Sequence, residues 1–305
     1  MSASERRAEI RRALDWGSLA PLRLRARVVA EGVYAGMHRS ARRGAGVEFG
    51  GYREYTPGDD LRWLDRRSLL RHERLMVRQF ETETDRALRL VIDASASMAY
   101  RGSRAPGAKL AFGALVAAAL GRVALASGDP VGLAFIGGAS SARGLPATGG
   151  REQFERIVGA LEAVEPGGDA KADGALVDRT LEPLARSARR GAVIVVLSDL
   201  LDLPDEAAER IVALASRGRV LVVVQTLDPD EADFPFEGNV RLRAMEGDHI
   251  VETEGETARA HYLEALEALR AKWSLLVTSR GGRFLQATTT DDPVKVVRQV
   301  VEAVR

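Results

Sequence analysis

Four short segments, ALRLVID (87–93), VGLAFI (131–136), AVIVVLSD (192–199) and RVLVVVQT (219–226), are rich in Val, Ile and Leu and show no clean alternation with polar residues. Such runs read as strands that need apolar cover on both faces. A parallel sheet flanked by helices supplies that cover, and an antiparallel sheet with one wet face does not. Longer segments of helical periodicity lie between the runs, so strand, crossover and next strand join as right-handed βαβ units. The expected fold is α/β: a doubly wound, mostly parallel sheet with helices on both faces.

The helical segments fit this scheme. AKLAFGALVAAALGRVALAS (108–127) is apolar nearly all round and is expected deep in the core. REQFERIVGALEAV aligns Phe154, Ile157, Val158, Leu161 and Val164, and TARAHYLEALEALRAKW aligns Tyr262, Leu263, Leu266, Leu269 and Trp273. PDEAAERIVALASRG opens on Pro204 and acids and closes at Gly218, and DDPVKVVRQVVEAV carries Pro293 in its first turn. ALVDRTLEPLARSARRG is also helical in pattern, but Pro183 is expected to kink it or to start a second turn. Residues 228–256 break the rhythm, with VRLRAMEGDHIVE reading as a hairpin that turns at Gly247-Asp248, a small insertion on the sheet domain.

Residues 1–86 show another pattern. LRLRARVVAEGVYAGMHRSARRG suits a helix, and VEFGGYREYTPGDDLRWLDRR suits a short strand followed by a Pro-Gly turn. Residues 1–86 are expected to form an N-terminal extension docked on a sheet domain of residues 87–305. Residues 1–47 hold about ten Arg against four acids, a basic excess larger than the net charge of +1 of the whole chain. Such an arm suits an acidic partner. It lacks the aromatic interleaving that stacks on bases, which disfavours nucleic acid.

Cysteine is absent, so disulfides, thiol nucleophiles and thiolate metal sites are excluded. The N-terminal stretch MSASERRAEIRRAL has no signal-type apolar run. The longest charge-free apolar helix segment, Leu110 to Gly121, is shorter than the ~20 residues of a membrane span. A cytoplasmic protein with no membrane span is expected.

Two of the apolar runs end in Asp. In an open parallel sheet, ligands bind outside the carboxyl ends of the strands. Asp93 and Asp199 are therefore expected on one rim, and Ser95 and Ser97 succeed Asp93 at alternate positions. Asp169, in EPGGDAKAD behind two glycines, is a third carboxylate that a loop can bring to the same place. Clustered carboxylates and hydroxyls form a hard-oxygen site suited to Mg2+ or Mn2+, because a cation relieves the repulsion between the carboxylates. The candidate metal ligands are Asp93, Ser95, Ser97, Asp169 and Asp199. No cofactor-binding loop accompanies them: GSRAPGAKL lacks the Gly-Lys-Ser/Thr ending of a phosphate loop, and Gly-x-Ser-x-Gly and HExxH are missing. His38, His72, His249 and His261 are scattered and suggest no site.

Asp-x-Ser-x-Ser after the first core strand, with a later strand ending in Ser-Asp, resembles the metal-ion-dependent adhesion site of von Willebrand factor A domains. The resemblance implies that Asp93, Ser95 and Ser97 ligate or orient a divalent ion and that Asp199 helps to complete the site. Asp169 stands where that family has a Thr. A second resemblance rests on REYTPGDDLRWLD (53–65) followed by LMVRQFE. It is similar to the bacterial domain-of-unknown-function family numbered fifty-eight, whose signature is matched here by Arg53, Glu54, Tyr55, Pro57, Gly58, Asp59, Asp60, Arg62 and Asp65, with Arg66 in the place of a Trp. Read from the residues alone, Pro57-Gly58 makes a tight turn, and Asp59 and Asp60 cap the next segment. The family resemblance implies a partner of MoxR-type AAA+ ATPases in chaperone-like assembly.

The leading expectation is thus a non-enzymatic, metal-dependent protein-binding module whose ion receives a carboxylate from a client protein. The alternative is a magnesium-dependent phosphoryl hydrolase with Asp93 as nucleophile and Asp199 holding the metal. That reading needs a phosphate-binding cation, and the sequence does not place the nearby Lys109 or Lys171. An Arg-rich nucleic-acid binder ranks third.

Overall fold

The computed structural model describes residues 14–37, 51–54, 64–65, 76–79, 86–138, 144–169, 173, 175–201, 203–243, 245 and 250–304. The chain divides into two compact units, one of residues 1–39 and 86–305, the other of residues 40–85. In the smaller unit, strands β1 (Gly51–Glu54), β2 (Leu64–Asp65) and β3 (Met76–Gln79) form an antiparallel sheet in the order β1-β3-β2. Arg53 and Glu54 of the REYTPGDD signature fall in β1 and Asp65 in β2. The expected Pro57-Gly58 turn, Asp59, Asp60 and Arg62 lie outside the described residues.

The larger unit is a six-stranded sheet ordered β11-β8-β7-β4-β5-β6. Its strands are β4 (Leu88–Ala94), β5 (Val131–Gly137), β6 (Leu145–Thr148), β7 (Val193–Ser198), β8 (Val220–Leu227) and β11 (Arg283–Thr288). Every pairing is parallel except β5 with β6. The chain is therefore mixed α/β with a mostly parallel central sheet, as the apolar runs imply. Strands β9 (Asn239–Arg243) and β10 (Ile250–Glu254) form the separate antiparallel hairpin expected near 228–256; its turn at Gly247-Asp248 lies outside the described residues.

The helices are α1 (Leu22–Met37), α2 (Lys109–Ala126), α3 (Arg151–Ala163), α4 (Leu176–Ser187), α5 (Asp205–Ala213), α6 (Pro229–Asp233), α7 (Gly255–Ser279) and α8 (Pro293–Ala303). The period-2 geometry of a strand sends successive side chains to opposite faces, and here both faces are dry. Leu90 and Ile92 join one core with α1, α2, α3 and α8. Val91 joins a second core with α4, α5 and α7. Each fully buried Leu, Ile or Val contributes on the order of 1.5–3 kcal/mol, so these two layers dominate the stability of the unit.

Three expectations change. The boundary expected between residues 86 and 87 separates α1 from the sheet, but Leu22, Val29 and Val33 pack in the first core and the Tyr34 hydroxyl donates to Val123 O at 3.0 Å. Pro183 does not start a second helix: α4 runs continuously through it, with Leu176, Val177, Leu181 and Leu184 buried along it. Finally, α2 is an 18-residue helix with a mean hydropathy of 1.7, long and apolar enough by length and composition to cross a membrane. Here 83% of it is buried inside the unit, and every residue from Lys109 to Gly121 is enclosed. Its many Ala and Gly residues let helices and sheet approach from all sides.

Candidate functional site

The parallel register of β4 and β7 runs from Leu88↔Val193 to Ile92↔Leu197, which carries Asp93 to the rim beside Ser198. The Ser198 hydroxyl donates to Asp93 Oδ2 at 2.5 Å, and the Ser95 N–H donates to Asp93 Oδ1 at 2.9 Å. A turn of 3-10 helix, Ala96–Ala99, then folds the chain back. It leaves Ser95 Oγ and Ser97 Oγ 3.1 Å apart. Asp93, Ser95 and Ser97 are all buried.

The loop that carries Asp169 is stitched to this turn. Gly167 N–H donates to Ala94 O at 2.8 Å, Ala96 N–H donates to Gly168 O at 3.2 Å, and Gly138 N–H donates to Gly167 O at 2.7 Å. Asp169 comes directly after, half-buried, and its carbonyl accepts from Asp173 N–H at 2.9 Å. Lys171 lies outside the described residues.

Asp199 comes directly after β7 and is 2% exposed. Its carboxylate meets a cation that the chain itself supplies. Lys109, the first residue of α2, is 0% exposed and sends Nζ to Asp199 Oδ2 at 2.7 Å and to Glu231 Oε1 at 2.6 Å. A positive charge at a helix N-terminus opposes the helix dipole, so these two carboxylates stabilise a placement that is otherwise unfavourable. Burial pulls the Lys109 pKa down, but Asp199 and Glu231 more than reverse it and hold it above the ordinary lysine value. For Glu231 the balance runs the other way: burial raises its pKa, and Lys109 offsets only part of that rise. Burial also raises Asp93, to about 6, with the Asp199 charge adding to the rise and the bonds from Ser198 and Ser95 opposing it.

The backbone after Asp199 is strained. Leu200 has φ 64°, in the left-handed region that a branched side chain seldom occupies. Two bonds hold it there: Leu200 N–H donates to Ser198 Oγ at 3.0 Å, and Leu201 N–H donates to Asp199 Oδ1 at 3.1 Å.

Three members of this constellation are not singled out by the sequence: Lys109 as a partner, Ser198 and Glu231. Ser198 had a visible signal, since it directly precedes the rim Asp199. Glu231 had one too, because Asp228-x-x-Glu231 is a capping box. In the structure Glu231 Oε2 accepts from Asp228 N–H at 3.0 Å, which fixes the side chain and leaves Oε1 for Lys109. Residues 228–233 thus belong to the site's wall. A second loop is clamped to that wall: Gly102 N–H donates to Asp228 Oδ2 at 2.8 Å, Ser103 N–H to Asp230 Oδ2 at 3.1 Å, and Arg104 Nε to Asp230 Oδ1 at 2.7 Å.

Among the described residues no three His, Asp or Glu side chains are gathered as metal ligands. A cation at this rim would have to rely on Asp93 and the serine hydroxyls, because the Asp199 carboxylate is paired with Lys109.

The family model described as "Protein of unknown function DUF58" matches residues 51–272. The chain belongs to the DUF58 family. Relatives include uncharacterized proteins of Mycobacterium bovis and Mycobacterium tuberculosis, each 30% identical over 276 residues, spanning 90% of this chain and 85% of the relative. Solved structures similar to this DUF58 protein include a conserved hypothetical protein, BatB, of Bacteroides thetaiotaomicron (18% identity, 72% of this chain and 98% of that one, TM-score 0.45). Two others are described as membrane proteins. One is an aerotolerance-related membrane protein of Bacteroides fragilis (19% identity, 72% and 98%, TM-score 0.44), and the other an uncharacterized membrane-spanning protein of Vibrio fischeri (18% identity, 71% and 97%, TM-score 0.20). The expectation of a cytoplasmic protein is withdrawn. It rested in part on the shortness of the Leu110–Gly121 segment, and α2 extends to 18 residues, long and apolar enough by length and composition to cross a membrane.

Proposed function

We propose that this DUF58 protein is a non-enzymatic, metal-ion-dependent protein-binding module of von Willebrand factor A type, acting as an adaptor beside a MoxR-type AAA+ ATPase. The observation that supports it is the convergence of Asp93, Ser95 and Ser97 in one buried turn at the carboxyl rim of the sheet. The donors are hard oxygens, which fit Mg2+ or Mn2+. Among the described residues Asp93 has no basic partner, and its bonds come from Ser95 and Ser198. An ion there would be held by Asp93, Ser95 and Ser97; the Asp199 carboxylate is engaged by Lys109, and Asp169 follows the loop bonded to this turn. It would supply a charge that attracts a carboxylate from a client protein.

The test is calorimetric titration of Mg2+ and Mn2+ into chelator-treated protein and into Asp93→Ala. Saturable binding of one ion, lost in the variant, supports the reading. Equal heats in both proteins, or capture of a client protein with unchanged affinity by Asp93→Ala, would sink it.

One observation favours a second reading, a magnesium-dependent phosphoryl hydrolase. Lys109 is a cation beside the rim aspartates, which that chemistry needs. It ranks lower because the ammonium already holds two carboxylates and is wholly buried, leaving no face for a phosphate. Turnover of a phosphate ester that disappeared in Asp93→Asn would reverse the order.

A further inference from the structure

At the opposite end of the strands, a cavity of about 360 Å3 opens between α4 and α5. Its walls combine apolar side chains, Leu181 and Leu214 among them, with four arginines: Arg186, Arg210, Arg217 and Arg219. Two acids also line it, and each is already used. Asp178 pairs with Arg210, and Glu182 pairs with Arg186 at 2.5 Å. The other two arginines have no such partner: among the described residues no carboxylate lies within ion-pair distance of Arg217 or Arg219.

Arg219 is the unusual member. It is only 9% exposed, it immediately precedes β8, and one guanidinium nitrogen donates to Ala185 O at 2.7 Å. Its Nε is buried with no hydrogen-bond partner. A buried cation without a counter-charge is costly, and an unmet buried donor adds to that cost. Burial holds its pKa below the ordinary arginine value, and the neighbouring Arg217 lowers it further. Arg217 stands at φ 62°, in the left-handed region, where a glycine would be unstrained. The fold therefore keeps a strained, exposed arginine two positions from a buried one that has no carboxylate partner among the described residues.

We propose that the α4–α5 cavity is a binding site for a small phosphorylated molecule, whose phosphate is received by Arg217 and Arg219 and whose apolar body rests on Leu181 and Leu214. The two guanidinium groups, neither paired with a carboxylate among the described residues, match the double charge of a phosphomonoester, and guanidinium forks suit its oxygens. A concave site with apolar walls and a few convergent charges takes a small molecule rather than a flat protein surface. The site is independent of the Asp93 rim, since Arg219 stands before the first residue of β8 and Asp199 stands after the last of the parallel β7.

The test uses phenyl phosphate as the probe, with inorganic phosphate and phenol as its two halves, titrated calorimetrically into the full chain. Saturable binding is expected for phenyl phosphate, weaker binding for phosphate and none for phenol. Arg217→Gly removes the charge while relieving the backbone strain, so it should be at least as stable as the natural protein and yet bind phenyl phosphate roughly tenfold more weakly or worse. Arg219→Lys should weaken binding by a comparable factor, because a point charge cannot reproduce the fork. Asp93→Ala should bind normally. Absence of saturable binding in the natural protein, or affinity unchanged in Arg217→Gly, overturns the proposal.

Discussion

Lys109 Nζ lies 2.7 Å from Asp199 Oδ2, and the two side chains are 0% and 2% exposed. This is a buried ion pair with Glu231 as its third member. Replacing such a group with a well-packed apolar set can be neutral, but removing one partner strands the others in a dry environment.

Lys109→Met should therefore destabilise the protein by roughly 3–5 kcal/mol. Adding Asp199→Asn and Glu231→Gln to it should restore part of that loss, a non-additivity expected of residues in direct contact. Urea unfolding of the single and combined variants measures this. Simple addition of the losses would show that the pair is not energetically coupled.

Asp93 makes the metal-free protein sensitive to pH. Its pKa is raised from 3.8 to about 6 in the folded state. As pH rises, the unfolded chain releases this proton first, so the folded state is penalised between roughly pH 4 and 6, by about 3 kcal/mol in all, and the penalty persists above that range. In chelator-treated protein, unfolding free energy at pH 7.5 should be higher in Asp93→Asn than in the natural protein, and the difference should vanish near pH 4. A divalent ion that binds here should stabilise the natural protein more at pH 7.5 than at pH 5. A pH-independent difference between the two proteins would contradict the assignment.

Gly137 controls how the Asp169 loop meets the serine turn. It has φ 72°, and an added Cβ would lie 2.9 Å from Gly167 O and 3.1 Å from Ser95 N. Gly137→Ala should cost about 1–2 kcal/mol from the left-handed backbone alone, before any displacement of the loop. It should also weaken divalent-ion binding, by roughly tenfold if the turn shifts enough to cost 1.4 kcal/mol. Thermal melting and ion titration read the two effects separately.

Gly102 has a comparable role at the outer wall. An added methyl would strike the carboxylates of Asp230 and Asp228. Gly102→Ala should release the loop at residues 101–106 from α6, seen as faster proteolytic cleavage there while the central sheet stays protected from hydrogen exchange. Unchanged cleavage would show that the clamp is not needed to hold the loop.

Much of this was legible in the chain. The continuous Val/Ile/Leu runs of β4, β5, β7 and β8 read directly as strands covered on both faces, because burial on two sides removes the polar alternation. The edge strands β6 and β11 did not stand out: LPAT and RFLQAT carry half-exposed or exposed residues, so they lack that pattern. The rim aspartates were legible because each ends an apolar run, and Ser95 and Ser97 because of their alternate spacing.

The sequence by itself determined the strand and helix periods, the two dry faces of the sheet, and the family through its long signature. Only the tertiary structure decided which charges meet. Lys109 is 90 positions from Asp199 and 122 from Glu231, and no local period links them. Sheet order places β4, β7 and β8 side by side, and α2 starts at their common rim, so a lysine at the head of an apolar helix comes to rest between two carboxylates. That neighbourhood fixes the electrostatics of the site. A dry interior makes each pairing strong and each unpaired charge costly, and the pattern of residues along the chain does not specify which of the two a given residue will become.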